Sequence, residues 1–199
     1  RMKPMNGDKK QPEWFRISGD ESFTLYSKFR RTKGVLDTVG TIAYELRAEQ
    51  EQAVSQTFDY FMSHEKGEFL WNAKPRFGKT LATYDLCKRL QSTKGDYACN
   101  ILIVTNRPAI ANSWYEDFVK FIGTESGFRF VSEVSALKGK PFVMSREEYT
   151  DSLTKELADC IEFVSLQDLK GSLYFGGQHD KLKELVNMQW ELLVIDEAH

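Results

Sequence analysis

Long apolar runs are missing from this sequence. No stretch approaches the ~20 residues that a membrane-spanning helix needs, and the N-terminus carries no secretory pattern of a basic start and an apolar core. The expectation is a cytoplasmic protein with no membrane partner. Cysteine is scarce as well: Cys87, Cys99 and Cys160 are odd in number, scattered and set in apolar surroundings. That usage suits reduced core thiols and argues against a disulfide framework or a zinc site. An excess of charge is also lacking, since 27 Lys and Arg face 29 Asp and Glu for a formal net charge of -2. No global basic field announces nucleic acid, so any contact with it must be local.

What is present is enough apolar material for a core, 41% of 199 residues, which suits one domain with a short appendage. Within it stands Ala73-Lys74-Pro75-Arg76-Phe77-Gly78-Lys79-Thr80, between an apolar run (Phe69, Leu70, Trp71) and an amphipathic stretch that begins at Lys79. The order reads strand, loop, helix. Backbone amides at a helix N-terminus meet the negative charge of phosphates, and a Lys followed by Thr can reach the β- and γ-phosphates and a Mg²⁺ ion. The loop departs from G-x-x-x-x-G-K-[ST] at its first position, where Ala73 replaces Gly, and Pro75 brings no N–H.

A second half of the same site lies at the other end of the chain. Leu192 to Ile195 form a short apolar run, the pattern of a buried parallel strand, and deliver Asp196, Glu197, Ala198 and His199. Two carboxylates at a strand's C-terminal end can serve a metal and a water. A further buried strand is expected at Ile101 to Val104, ending in Thr105, Asn106, Arg107 and Pro108, and another at Cys160 to Val164, followed by Ser165 and Gln167. Ile110, Trp114, Phe118 and Phe121 recur at helical spacing and read as core. Phe128 to Val131 reads as one more strand, and Leu182, Leu185 and Val186 as a short helix. Ser132 to about Thr154 lacks periodicity and reads as a loop.

AKPRFGKT and VIDEAH together resemble motifs I and II of the superfamily 2 helicases and translocases, the DEAD/DEAH-box class, and within it the motor subunits of type I and type III restriction enzymes and related bacterial defence helicases. The resemblance implies an α/β fold: a RecA-like P-loop NTPase domain with a central, mainly parallel sheet, over residues 41–199. It implies ATP and Mg²⁺ as cofactors, with Lys79 on the phosphates, Thr80 and Asp196 on Mg²⁺, Asp196 through water, and Glu197 as general base. Ala73 to Thr80 would line the nucleotide, and Leu46, Arg47 and Gln50 match an element that reads adenine, beside which Tyr44 could stack on the base. Thr105, Arg107, Ser165 and Gln167 would hold a polynucleotide backbone, and His199 would couple nucleotide state to a second RecA-like domain. Double-stranded DNA is the expected track, with nuclease, methyltransferase or specificity subunits as further partners. An RNA helicase of the DExH type and a non-motor nucleotide switch remain as alternatives.

Residues 1–40 stand apart. They are roughly four units positive, with strand formers at Trp14–Ile17 and Phe23–Phe29 around Gly19-Asp20, and read as a small hairpin in a basic extension or the end of a preceding domain. The chain starts on Arg1 and stops within a motif, so an excerpt of a longer protein is expected. The family sheet places the strand that follows DEAH between the phosphate-loop strand and the DEAH strand. A domain truncated after the DEAH strand would lack that strand, and the fragment alone is expected to be inactive.

Overall fold

A computed structural model describes residues 3–4, 15–16, 42–95, 97–123, 126–153, 159–170, 172–173, 176 and 182–196. The chain divides into two units, Arg1–Val39 and Gly40–His199. In the first, strand β1 (Lys3–Pro4) pairs antiparallel with β2 (Phe15–Arg16). The hairpin expected around Gly19-Asp20 therefore has a different partner for its first strand, one set by pairing across a longer connection. Its second arm, Phe23–Phe29, lies outside the described residues.

The second unit is built on a sheet of five strands, all parallel, in the order β5-β4-β6-β3-β7. They are β3 (Asn100–Thr105), β4 (Phe128–Val131), β5 (Val143–Met144), β6 (Asp159–Ser165) and β7 (Leu192–Asp196). Parallel neighbours need crossover connections, and the helices supply them. α1 (Ala48–Ser63) precedes the phosphate loop and α2 (Lys79–Ser92) follows it. A 3₁₀ turn (Pro108–Ile110), α3 (Ala111–Asp117) and a π-helical turn (Phe118–Ile122) lead from β3 toward β4. α4 (Arg146–Leu153), α5 (Leu166–Leu169) and α6 (Lys183–Asn187) complete the set.

Burial follows from the strand period of two. Ile161 and Phe163 of β6 join Ile101 and Ile103 of β3 in a large core with Ala82, Tyr84, Leu86, Cys87 and Leu90 of α2. Cys160 of the same strand turns the other way, onto Val131 and Tyr149. Both faces of the inner strands β3 and β6 are covered, as a parallel sheet requires.

Two expectations need correction. The run Phe69–Trp71 forms no strand, and Leu70 is 86% exposed. β7 is the last strand in the order, and segment 69–71 pairs neither with its outer edge nor with any other described strand. One face of β7 is open as well, since Leu193 and Ile195, which share it, are 54% and 60% exposed. The stretch from Ser132 to Thr154, expected as a loop, contains β5, a 3₁₀ turn at Ser135–Leu137 and α4, with Val134, Leu137 and Tyr149 buried. These elements are too short to show a period, and contacts with β4 and β6 hold them in place.

Candidate nucleotide-binding site

The carboxyl ends of three strands meet in one row. Thr105 of β3 stands opposite Ser165 of β6 on one side and opposite Asp196 of β7 on the other. Onto this edge, where parallel sheets bind ligands, α2 brings Lys79 at its first position. Lys79 Nζ lies 3.0 Å from Asp196 Oδ1, although the two residues are 117 positions apart in sequence. Asp196 Oδ2 accepts a hydrogen bond from Trp114 Nε1 at 3.3 Å.

The loop before α2 is a turn with a definite chemistry. The Phe77 amide donates to the Lys74 carbonyl at 3.1 Å, which makes Pro75 and Arg76 the two central residues. Arg76 has φ 66°. Pro first and a positive φ second define a type II turn, so Pro75 is well suited to its place while Arg76 occupies one that favours Gly. Ala73 has no positive φ, which is why the loop tolerates the loss of Gly there. Gly78 does need its freedom: its φ is 80°, and an added Cβ would lie 2.6 Å from Gln50 Nε2. The amides of the first turn of α2 follow directly, without intrahelical acceptors, as at any helix start. Thr80, the second residue of α2, is half-buried.

Arg47 and Gln50 back this loop. Gln50 is 3% exposed, and its Nε2 donates to the Phe77 carbonyl at 2.7 Å while its Oε1 accepts from the Arg47 amide at 2.9 Å. Arg47 Nη2 donates to the carbonyls of Phe77 and, at 3.0 Å, Arg76. Arg76 points to solvent, but Phe77 turns inward, edge-on to Trp71 at 6.3 Å between ring centroids. Tyr44 is already engaged: its ring is edge-on to Phe121 and its hydroxyl donates to Asp85 Oδ1 at 2.9 Å. Burial, and next the bond to Asp85, push that hydroxyl's pKa up, which keeps it a donor. Arg89 joins Asp85 to Glu51 across α1 and α2, and its hydrogen bond holds the Glu51 carboxyl below its ordinary value.

Among the described residues, no group of three or more His, Cys, Asp or Glu could hold a metal by itself. A single carboxylate beside a phosphate loop fits Mg²⁺, which takes one or two protein oxygens and completes its shell with water and phosphate. Of the four residues expected on a polynucleotide, Arg107 and Gln167 are exposed. Thr105 and Ser165 are 1% and 0% exposed, so their hydroxyls face inward, and Thr105 Oγ1 accepts from the Arg107 amide at 3.3 Å. Lys74, Pro75 and Arg76 are also exposed. Glu197 and His199 lie outside the described residues.

A family model described as the type III restriction enzyme, res subunit, matches residues 43–199, the whole of the unit that carries this site apart from its first residues. The chain belongs to the type III restriction enzyme res subunit family. This res-family chain is also 26% identical over 162 residues to a Mycoplasma pneumoniae protein described as the C-terminus of a putative type II restriction enzyme and methyltransferase. The match covers 78% of the present chain and 20% of that relative, so the chain spans about a fifth of the relative's length. The parallel sheet with flanking helices is the RecA-like arrangement expected of a res-family motor domain.

One contributor to the res-family site escaped the reading of the sequence. Trp114 is core, at 2% exposure, as its helical spacing implies, yet its ring nitrogen touches the motif II carboxylate. The available signal was chemical: a buried Trp carries one N–H that must find an acceptor.

Proposed function

We propose that this chain is the ATP-binding and hydrolysing part of a nucleic-acid-dependent motor in a longer protein, a double-stranded DNA translocase of a restriction or defence system. The observation that carries the reading is the 3.0 Å contact between Lys79 and Asp196, because it joins the phosphate loop to the metal carboxylate in one site. Family membership supports it, and so does the likeness to a protein described as a putative type II restriction enzyme and methyltransferase.

Mg²⁺·ATP, when bound, supplies the phosphoanhydride that is cleaved. The residues supply positioning and charge, which is most of what phosphoryl transfer requires. Lys79 would leave Asp196 for the phosphates, and the first-turn amides of α2 would line the same anion. Thr80 and Asp196 would hold the metal, which would neutralise phosphate charge there. Glu197 accepts the proton of the attacking water as general base. Gln50 retains a second N–H and a second lone pair beyond the bonds it already makes, which suits the adenine edge. Arg107 and Gln167 meet the phosphodiester backbone, while Thr105 and Ser165 shape the loops that carry them. His199 passes the nucleotide state to a second RecA-like domain, which contributes the arginine fingers. Residues 1–40 form a separate basic segment. DNA-modifying or DNA-cutting and specificity partners complete the system.

The test is ATP hydrolysis by the full-length protein, alone, with duplex DNA and with RNA, beside Lys79→Ala and Glu197→Gln. Stimulation by duplex DNA that both substitutions abolish is expected. Stimulation by RNA alone would make the protein an RNA helicase of the DExH type, and hydrolysis indifferent to both would make it a nucleotide switch.

A further inference from the structure

The indole of Trp114 is held by two aromatic neighbours, and its backbone by a third contact. It packs edge-on to Tyr84 at 5.5 Å between centroids and against Phe163 at 6.3 Å, and the Tyr84 hydroxyl donates to the Trp114 carbonyl at 2.6 Å. Tyr84 and Phe163 are both fully buried. A ring fixed in this way aims its single N–H in one direction, and that direction is Asp196 Oδ2. The other carboxylate oxygen, Oδ1, is left on the side of Lys79. The Asp196 side chain is itself only 12% exposed, so few other donors can reach it.

We propose that Trp114 is the positioning residue of the metal carboxylate: its indole N–H pins Oδ2 of Asp196 so that Oδ1 faces the phosphate loop. This inference rests on the nucleotide-site reading above. The logic is that of other carboxylates beside metals. An oxygen that accepts a hydrogen bond from a rigid donor fixes the plane of the carboxylate and leaves the second oxygen to serve the metal's water. In the nucleotide-free protein Oδ1 pairs with Lys79. When the phosphates take Lys79, Oδ1 turns to the hydrated metal without any change at Oδ2. Trp114 therefore makes the exchange a substitution of partners at one oxygen, and the carboxylate does not have to reorient.

The proposal separates the metal from the nucleotide in a measurable way. In the full-length protein, Trp114→Phe keeps an aromatic ring in the core and removes the N–H together with the nitrogen-bearing ring, so the measurement must separate the lost hydrogen bond from the lost volume. Binding of a fluorescent ATP analogue, measured as Mg²⁺ is titrated, is expected to show half-saturation at roughly tenfold higher Mg²⁺. Affinity in the absence of Mg²⁺ is expected to stay unchanged. A packing defect alone would weaken both. A second measurement needs no change at Trp114. In protein labelled with 5-fluorotryptophan, the ¹⁹F line lost in Trp114→Phe should move on Asp196→Asn, and should move less on Mg²⁺·ADP binding. Unaltered Mg²⁺ dependence in Trp114→Phe, or a line indifferent to Asp196→Asn, would overturn the proposal and leave the nucleotide site standing. Failure of the unsubstituted protein to bind the analogue, with or without Mg²⁺, would overturn both.

Discussion

Gln50 clamps the carbonyl of Phe77 from behind the phosphate loop, with one Nε2 hydrogen donated at 2.7 Å and one Oε1 lone pair accepting from the Arg47 amide at 2.9 Å. The start of α1 and the turn before α2 are thus tied by one side chain. Gln50→Ala would remove one of the two side-chain donors on the half-buried Phe77 carbonyl, which Arg47 Nη2 still reaches, and the acceptor of the Arg47 amide, at a cost of about 0.5–1.5 kcal/mol per bond. A lower midpoint in urea is expected, with a raised KM for ATP; an unchanged midpoint would show that water replaces the amide at no cost.

Gly78→Ala should be worse than its size suggests. The residue sits at φ 80°, where a Cβ costs roughly 1–2 kcal/mol, and the new methyl would also press on Gln50 Nε2 at 2.6 Å. Thermal denaturation should show the loss, and nucleotide affinity should fall with it because the helix start is displaced.

Arg107 is exposed at the end of β3 and ready to meet a phosphate. Arg107→Ala in the full-length protein should weaken duplex binding similarly for all sequences and lower the slope of log affinity against log salt by about one unit. A sequence-dependent loss would instead assign Arg107 to base contacts.

Arg146 and Glu162 form an ion pair inside the sheet layer, with Arg146 Nε 2.8 Å from Glu162 Oε1 and Glu162 fully buried. Removing the cation takes its ion pair from a fully buried carboxylate, so Arg146→Met is expected to cost up to about 3–5 kcal/mol. The double substitution Arg146→Met with Glu162→Leu should recover much of it, as judged by urea denaturation of both variants.

The three thiols give the pH dependence a sign. All are free and buried, and burial pushes all three thiols up, Cys99 to about 12. Unfolded thiols titrate near ~8.5. Above that value the unfolded chain releases protons that the folded chain keeps, so the thiols' contribution to stability is fully present below pH ~8.5 and declines as pH rises beyond it. Thermal midpoints between pH 8 and 10 should fall accordingly, and a thiol reagent at pH 8 should label these residues only on unfolding.

Much of the sheet could be read in advance because its strands are short apolar runs at fixed places. Ile101–Val104, Phe128–Val131, Cys160–Val164 and Leu192–Ile195 all pair as strands, and buried parallel strands need no other signature. The run Phe69–Trp71 has the same composition and does not pair, because composition reports the wish to be buried and not the presence of a neighbour. The short elements β5 and α4 show the converse: two and eight residues carry too little period to read, yet Met144 and Tyr149 pack onto Val131 and Cys160 and hold them in place. At the site, Lys79 and Asp196 were legible because each stands in a local pattern. Trp114 was not, because nothing within its own helix says which atom its N–H will meet.

The sequence by itself determined the chemistry available: a phosphate loop ending in Lys79 and Thr80, a strand ending in Asp196, and thiols destined for the core. These are properties of residue type and spacing over a few positions, which local rules govern. Tertiary structure alone decided how those pieces meet. It brought Lys79 to Asp196 across 117 positions, turned Phe77 inward and Arg76 outward, drew Thr105 and Ser165 out of solvent, and set Trp114 against the Asp196 carboxylate. The physical reason is that each of these contacts depends on strand order and register, which the whole sheet fixes at once and no single segment encodes.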